Sequence, residues 1–405
     1  MATRKVAFAR SKLALAILLY AGAVALSLWP AQEMLSAFKA LAKWVEFLLL
    51  YLFVASELER TDRRILVASL LLAGTLEGAL GIYQFVRQVG PPGFVLFDRY
   101  MRAYGTFLQP NPFGGYLGLL LPTAYATAIT VWQDLLAKPS VPGTGQKRSP
   151  WLLSLGLLAI ISALVMGIAL IMSWSRGALL GLVGGFVMIS LALRRRAWVA
   201  IAIAALFLVL ISPLLSGIIP TDFVGRVKGL AEYVGQDLTT VEITDDNFAV
   251  IERVAHWQAA WRMFTMRPWL GVGSGQYATV YPTVAVPRWQ DPLGHAHNYY
   301  LNVLAEGGLV GLATYLIMLL AATITAWRAA RRERGWRLGL ALGGLGMLGH
   351  LLTHSLFDNL YVHEMYLLVA ILLGIVVSLS NQDPSQAKSR SDWQSDLPAS
   401  SCKTA

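Results

Sequence analysis

Ten separate runs of mainly apolar residues, each long enough to cross a lipid bilayer, limit what this chain can fold into. A crossing helix needs roughly 17–25 such residues, because in hydrocarbon every backbone N–H and C=O must be paired within its own segment. Runs of this kind lie at 13–29, 38–56, 65–86, 113–133, 151–172, 177–193, 197–217, 300–326, 338–356 and 364–380. The apolar stretch from 151 to 193 exceeds one crossing, and Ser173-Trp174-Ser175-Arg176-Gly177 divides it. Composition agrees: 14% of the 405 residues are charged, against about 25% in a soluble domain. The expectation is an all-α polytopic membrane protein with about ten transmembrane helices, and at most twelve. Residues 1–380 would form one transmembrane domain that includes a long extracytoplasmic loop at 218–299 with amphipathic helices. Residues 381–405 read as a disordered cytoplasmic tail.

Charge sets the orientation. Most of the 33 Lys+Arg fall in short segments on one side, among them Arg4, Lys5, Arg10 and Lys12, then Arg60, Arg63 and Arg64, then Arg194, Arg195 and Arg196, and the Arg328–Arg337 group. The positive-inside rule puts that side, with both termini, in the cytoplasm. The formal charge of +10 is thereby a topology signal, and no nucleic-acid partner is expected. The first apolar run lacks a small-residue cleavage site after Trp29-Pro30 and reads as a retained anchor. The lone cysteine, Cys402, excludes an intrachain disulfide and a Cys-ligated metal cluster.

This orientation sends the histidines outward. His256, His295, His297 and His363 lie in or beside the outward segments, and His350 and His354 sit in the outward half of the ninth run. Outward basic residues are few, so each needs a reason. Arg176, in a turn between two runs, is either an interfacial snorkelling arginine or an anion contact at the rim of a cavity. The spacing of Val254, Trp257, Trp261 and Phe264 predicts an amphipathic helix over about 252–266, with Arg253, His256 and Arg262 off its apolar stripe. That helix lies on the membrane surface with solvated charges, or it aims Arg253 over the cavity. Gly271-Val272-Gly273-Ser274-Gly275 lacks the βαβ context of a nucleotide loop and reads as turn chemistry. His295-Ala296-His297 suggests a metal site only if further ligands exist, and none shows sensible spacing, so no metal is expected. His350 and His354, one helical turn apart, read as hydrogen-bonded packing residues. Glu306 is an intramembrane carboxylate and therefore a functional suspect.

Several of these segments together resemble a known family. His297-Asn298 followed by Gly308-Leu309-Val310-Gly311 is similar to the His-Asn…Gly-x-x-Gly pattern of the bacterial O-antigen ligase family. Its superfamily also holds O-antigen and exopolysaccharide polymerases and some protein O-oligosaccharyltransferases. Arg102 through Asn111-Pro112, Ser173-Trp174-Ser175-Arg176-Gly177, and Arg253 through Gly271–Tyr277 look like its other landmarks, in order from about Tyr83 to Asp358. The resemblance implies a metal-independent, cofactor-free membrane glycosyltransferase in the bacterial cytoplasmic (inner) membrane, its active site facing the periplasm or exterior. The donor would be an undecaprenyl pyrophosphate-linked glycan, and the acceptor a glycan, lipid A core or protein. His297 would be the general base, since imidazole titrates near pH ~6.5. Arg176, Arg253 and Arg102 would clamp the pyrophosphate, with Asn298 and Glu306 as orienting residues. The competing class is a lipid-linked glycan transporter without catalysis. Such proteins gather binding residues near the bilayer midplane, whereas the polar candidates here collect at the outer edge.

Overall fold

The computed structural model describes residues 11–96, 99–137, 149–193, 233, 235–244 and 247–379. The expected span at 197–217, the tail from 381 and Cys402 lie outside the described residues. Nine of the ten apolar runs fall on helices: α1 (Lys12–Leu26), α2 (Met34–Glu57), α3 (Arg60–Arg87), α4 (Pro110–Leu136), α5 (Pro150–Met172), α6 (Arg176–Ala192), α9 (Tyr299–Arg332), α10 (Gly335–His354) and α11 (Met365–Ser378). Between α6 and α9 lie α7 (Phe248–Met266) and α8 (Tyr277–Val284). A two-stranded ribbon, β1 (Val95–Leu96) and β2 (Tyr100–Met101), pairs Val95 with Met101. Among the described residues, four helices (α3 from Thr61, α4, α5 and α9) are long and apolar enough to cross a membrane by length and composition. Shorter apolar helices are α1, α6 and α11. Helix α2 has the length but carries Lys39, Lys43 and Glu46 in its interior.

Helix starts follow local chemistry. Ser11 caps α1 by accepting from Ala14 N, Ser175 caps α6 by accepting from Ala178 N, and proline opens α4 and α5, where its missing N–H costs nothing. Packing makes two neighbourhoods. Helix α10 lies against α4 and α6, and α5 against α3 and α4; α1 lies against α9, and α2 against α11. Small residues allow the tight α10 contacts: a Cβ on Gly349 would meet the Gly184 carbonyl oxygen at 2.4 Å, and one on Gly343 the Thr123 backbone at 2.6 Å. Without a hydrophobic driving force between helices in lipid, such close approach is what drives association.

Helix α9 is broken. Gly308 sits at φ 62°, ψ −160° inside it, and the segment after α7 fills the gap. Leu309 N donates to Pro268 O (2.8 Å) and Val310 N to Trp269 O (3.2 Å). In return Val272 N donates to Ala305 O (2.9 Å) and Gly273 N to Glu306 O (3.0 Å). Two N–H and two C=O groups freed by the break are thus re-paired, as apolar surroundings demand. A side chain at Gly308 would strike the Trp269 carbonyl at 2.4 Å, and one at Gly271 the Glu306 carbonyl at the same distance. This crossing explains why both positions are glycine.

Candidate active site

The break in α9 anchors the histidine segment just before it. Asn298 is the N-cap of α9, its side chain accepting from Leu301 N at 3.1 Å. Tyr299 N donates to Ser355 O (2.8 Å), and Asn302 Oδ1 accepts from Ala296 N (3.1 Å). Held at both ends, His297 adopts φ 50°, a left-handed conformation that costs a non-glycine residue of order 1–3 kcal/mol and concentrates at functional sites. His295 Nδ1 accepts from His297 N at 3.1 Å.

Both ring nitrogens of His297 are buried without a hydrogen-bond partner. Its Nδ1 lies 3.8 Å from Asp358 Oδ1, and His295 Nε2 lies 3.8 Å from the same oxygen. These are charge-pairing distances, too long for direct hydrogen bonds. Burial works to raise the Asp358 carboxyl; His297, His295 and His354 around it outweigh that and hold it below the ordinary carboxylate range. Sequence reasoning missed Asp358, because nothing in spacing ties residue 358 to 297. The available signal was an aspartate in a short loop following the ninth run. With Asp358, a third group joins the two histidines: His295, His297 and Asp358 can each offer one ligand atom within 4.8 Å of the others. The three-group geometry that a metal would need, which sequence spacing did not reveal, is therefore present.

His256, on α7, backs the cluster. It is 1% exposed, its Nδ1 lies 3.1 Å from Tyr277 Oη, and its ring stacks on Tyr281 at 4.8 Å and meets His297 edge-on at 5.5 Å. Burial first, then His297 and His295, push its pKa down to about 4. Burial likewise pushes His295 to about 4. The buried face of α7 differs from the expected stripe. Val254 is buried, but Ile251, Ala255, Ala259 and Met263 complete the inner face, while Trp261 is 54% exposed. Small residues let α7 approach α8 and α9 closely, while Phe248 and Trp261 stay outside and Trp257 and Phe264 are half-buried.

The three arginines converge from different elements. Arg102 is held by Nε donating to Ser173 O (2.8 Å) and Nη2 to Asn111 Oδ1 (2.8 Å), both neutral acceptors. The following loop is fixed to α3, where Gln84 Oε1 takes Tyr104 N (3.1 Å) and Gly105 N (2.7 Å) and Glu77 takes Thr106 N (2.6 Å). Burial first, then Arg176 and Arg253 nearby, lower the Arg102 guanidinium to about 10. Arg176 is the first residue of α6, so it stands at a helix N-terminus, where backbone N–H groups and the dipole also favour an anion. Arg253 Nη1 donates to Ala249 O (3.0 Å), while its buried Nε has no partner. Three guanidinium groups from separate elements thus lie near one another.

Glu306 takes a different position from the arginines. It accepts from Tyr277 N at 2.9 Å at the start of α8, so it ties the filling loop to broken α9 and bears on His256 through Tyr277. His350 and His354 are buried, with His354 Nδ1 3.2 Å from His350 Nε2, as packing residues would be. His363 lies against Phe107 with ring centroids 5.9 Å apart.

Residues 161–316 match the family model described as O-antigen ligase. The match takes in Arg176, Arg253, His297, Asn298 and Glu306, and leaves Arg102 and Asp358 outside it. No curated protein matches the chain.

Proposed function

We propose, from the match of residues 161–316 to the O-antigen ligase family model, that this chain is a membrane glycosyltransferase of ligase or polymerase type that moves a glycan from undecaprenyl pyrophosphate to an acceptor hydroxyl at the outer face of the bacterial inner membrane. The observation that supports this reading is His297: a half-buried imidazole whose two ring nitrogens are buried and unpaired, 3.8 Å from Asp358, in a segment that feels Arg253. A substrate hydroxyl would supply the partner that these nitrogens lack.

The reaction is a direct displacement. His297 accepts the hydroxyl proton as the acceptor oxygen bonds to the anomeric carbon. The bond from that carbon to the pyrophosphate oxygen breaks, and its electron pair leaves with undecaprenyl pyrophosphate. Arg176 and Arg253, with Arg102 behind them, meet the charge that develops on the leaving group, typically a large share of catalysis. Asp358 stabilises the imidazolium once formed. Asn298, by capping α9, and Glu306, by fixing the start of α8, hold the segment in place. In this scheme the arginines do what a metal would otherwise do, so the proposed enzyme needs none.

The test is a reconstituted transfer assay in lipid nanodiscs, alongside the lipid-linked glycans of a deletion strain. Accumulated full-length lipid-linked chains indicate a ligase, and single repeats a polymerase; no accumulation and no transfer would overturn the reading. Orientation has its own check. Cys402 should resist impermeant thiol reagents in intact cells and react after permeabilisation.

A further inference from the structure

A cavity of about 330 Å³ lies between α1, α2 and α9, with Ser274 and Gly275 completing its wall. That volume falls within the range of small-molecule sites, about 300–1,000 Å³. None of the residues assigned to proton transfer or pyrophosphate binding lines it.

One wall is a rigid aromatic stack. Tyr20 meets Trp44 edge-on at 4.5 Å, Trp44 meets Tyr361 at 5.2 Å, and Tyr361 meets Tyr299 at 4.6 Å; Tyr20, Trp44 and Tyr299 face the cavity. The carboxamides of Asn302 and Asn359 and the hydroxyls of Ser36 and Ser274 add short polar groups. Ring faces for C–H surfaces, interleaved with amides and hydroxyls for OH groups, suit a saccharide better than an acyl chain. Lys39 and Lys43 give the cavity its sign. Four residues apart, they share one face of α2 and line the same cavity, where Glu306 is the one carboxylate. Glu306 already accepts from Tyr277 N. Lys43 donates to Tyr361 O and lies over the Tyr366 ring at 5.2 Å. Ionisable residues inside a span are expensive unless they do work, and the lining itself holds two ammonium groups against one carboxylate, with Glu33 acting on Lys39 and Glu364 on Lys43 from outside it.

The cavity also has the right neighbours. Asn302 holds Ala296 N beside His297, and Asn359 follows Asp358 directly. The arginines come from α6, α7 and the segment before α4, elements that contribute nothing to this wall. The histidine segment is thus bonded to a lining residue of this cavity and also feels Arg253.

We propose that this cavity is the acceptor subsite and holds a saccharide unit bearing one anionic substituent, presenting a hydroxyl to His297 opposite the arginines. The proposal rests on the transferase reading, and its test separates the two. Saturation-transfer NMR on the full chain in zwitterionic nanodiscs, with glucuronate, glucose 6-phosphate, glucose and glycerol 1-phosphate as probes, reads the cavity without turnover. Both acidic sugars should bind more tightly than glucose and than glycerol 1-phosphate. Lys39→Met should weaken acidic-sugar binding by about tenfold or more, the usual worth of a charged hydrogen bond, as should Lys43→Met. Lys39 is exposed, so its variant tests the site without threatening the fold. Lys12→Met, at the other end of α1, is the control and should change nothing. In the transfer assay Lys39→Met should raise the acceptor KM and leave donor KM and kcat alone. The subsite is overturned if acidic sugars fail to bind, if Lys39→Met binds them as well as wild type, or if glycerol 1-phosphate binds as tightly, which would mark a lipid headgroup site. Acidic-sugar binding that depends on Lys39 in a protein whose His297→Ala variant still transfers glycan would sink the transferase mechanism and leave the saccharide site standing.

Discussion

Two histidine pairs sit at the same end of this bundle and have opposite surroundings. His350 and His354 are sealed among glycines. A Cβ on Gly118 or Gly181 would run into the His350 ring, and one on Gly177 into His354, and the two rings bond each other at 3.2 Å. His295 and His297 stand in an irregular loop before α9, share Asp358 at 3.8 Å, and leave both His297 nitrogens unpaired. Residue type does not distinguish the pairs; what surrounds each ring does. The first pair is closed off by packing, although His350 Nδ1 is also unpaired, and the second is the one the proposed mechanism gives to a substrate.

The sharpest way to break that contrast is to truncate one ring in each pair. His297→Ala should lower transfer by about 10²–10⁴, the usual worth of a general base, with normal membrane levels and thermal stability. His350→Ala should do the reverse: it opens a void in a close-packed contact, so stability falls while kcat per folded molecule holds. Asp358→Asn should share the direction of His297→Ala at smaller size, since it removes the charge that stabilises the imidazolium and keeps the shape. A His297→Ala enzyme that still turns over, or a His350→Ala enzyme that folds well and is dead, would reverse the assignment.

The arginines extend the comparison to a smaller effect. Arg176→Lys and Arg253→Lys keep the charge and lose the planar fork that grips phosphate oxygens with two bonds. Each should cost about tenfold to a hundredfold in kcat/KM, seen in the donor and not the acceptor dependence. Lysine variants with full activity would make these arginines interfacial anchors only.

How far these roles were legible in the sequence differs by element. Apolar runs gave nine helices because hydrocarbon leaves backbone no other choice. His297 and the arginines stood out because outward basic and imidazole groups are scarce in such a chain. Asp358 did not, because a contact across 61 positions of chain has no local period. The lysines of α2 were visible only as blemishes in an apolar run until α1 and α9 closed a cavity around them. The face of α7 was misread because the large aromatics set the apparent stripe, whereas alanines made the contact. The α9 break left a trace, Gly307-Gly308, but only the crossing loop says why two glycines are needed there.

A pH experiment sharpens the contrast further at modest size. His256 and His295 are held near pKa 4, mainly by burial, against about 6.5 in an unfolded chain. Above pH ~6.5 both states are neutral and the full stability is present. Between about 6.5 and 4 the unfolded chain binds protons that the folded one refuses, so stability falls with pH over that window. Hydrogen exchange in α7 and α8, corrected for intrinsic rate, should show lower protection at pH 5 than at pH 7. His256→Gln should flatten part of that slope. Greater protection at pH 5 would mean that Asp358 holds these rings charged, and that the cluster is an ion-pair network.

The smallest expected effect, none, makes the strictest demand. His295, His297 and Asp358 could present three ligand atoms to an ion and leave a position open, as catalytic zinc sites do. If they did, the open pair would be a metal centre, and its contrast with His350–His354 would be one of ligation. The arginine cluster argues otherwise, because it already supplies the charge a departing pyrophosphate needs. Chelator treatment followed by dialysis should therefore leave transfer unchanged. His295→Ala should be milder than His297→Ala, because His295 Nδ1 is occupied by the His297 backbone and its other nitrogen only shares Asp358. An enzyme silenced by chelation and restored by one divalent ion, with both alanine variants equally damaged, would replace the base with a metal.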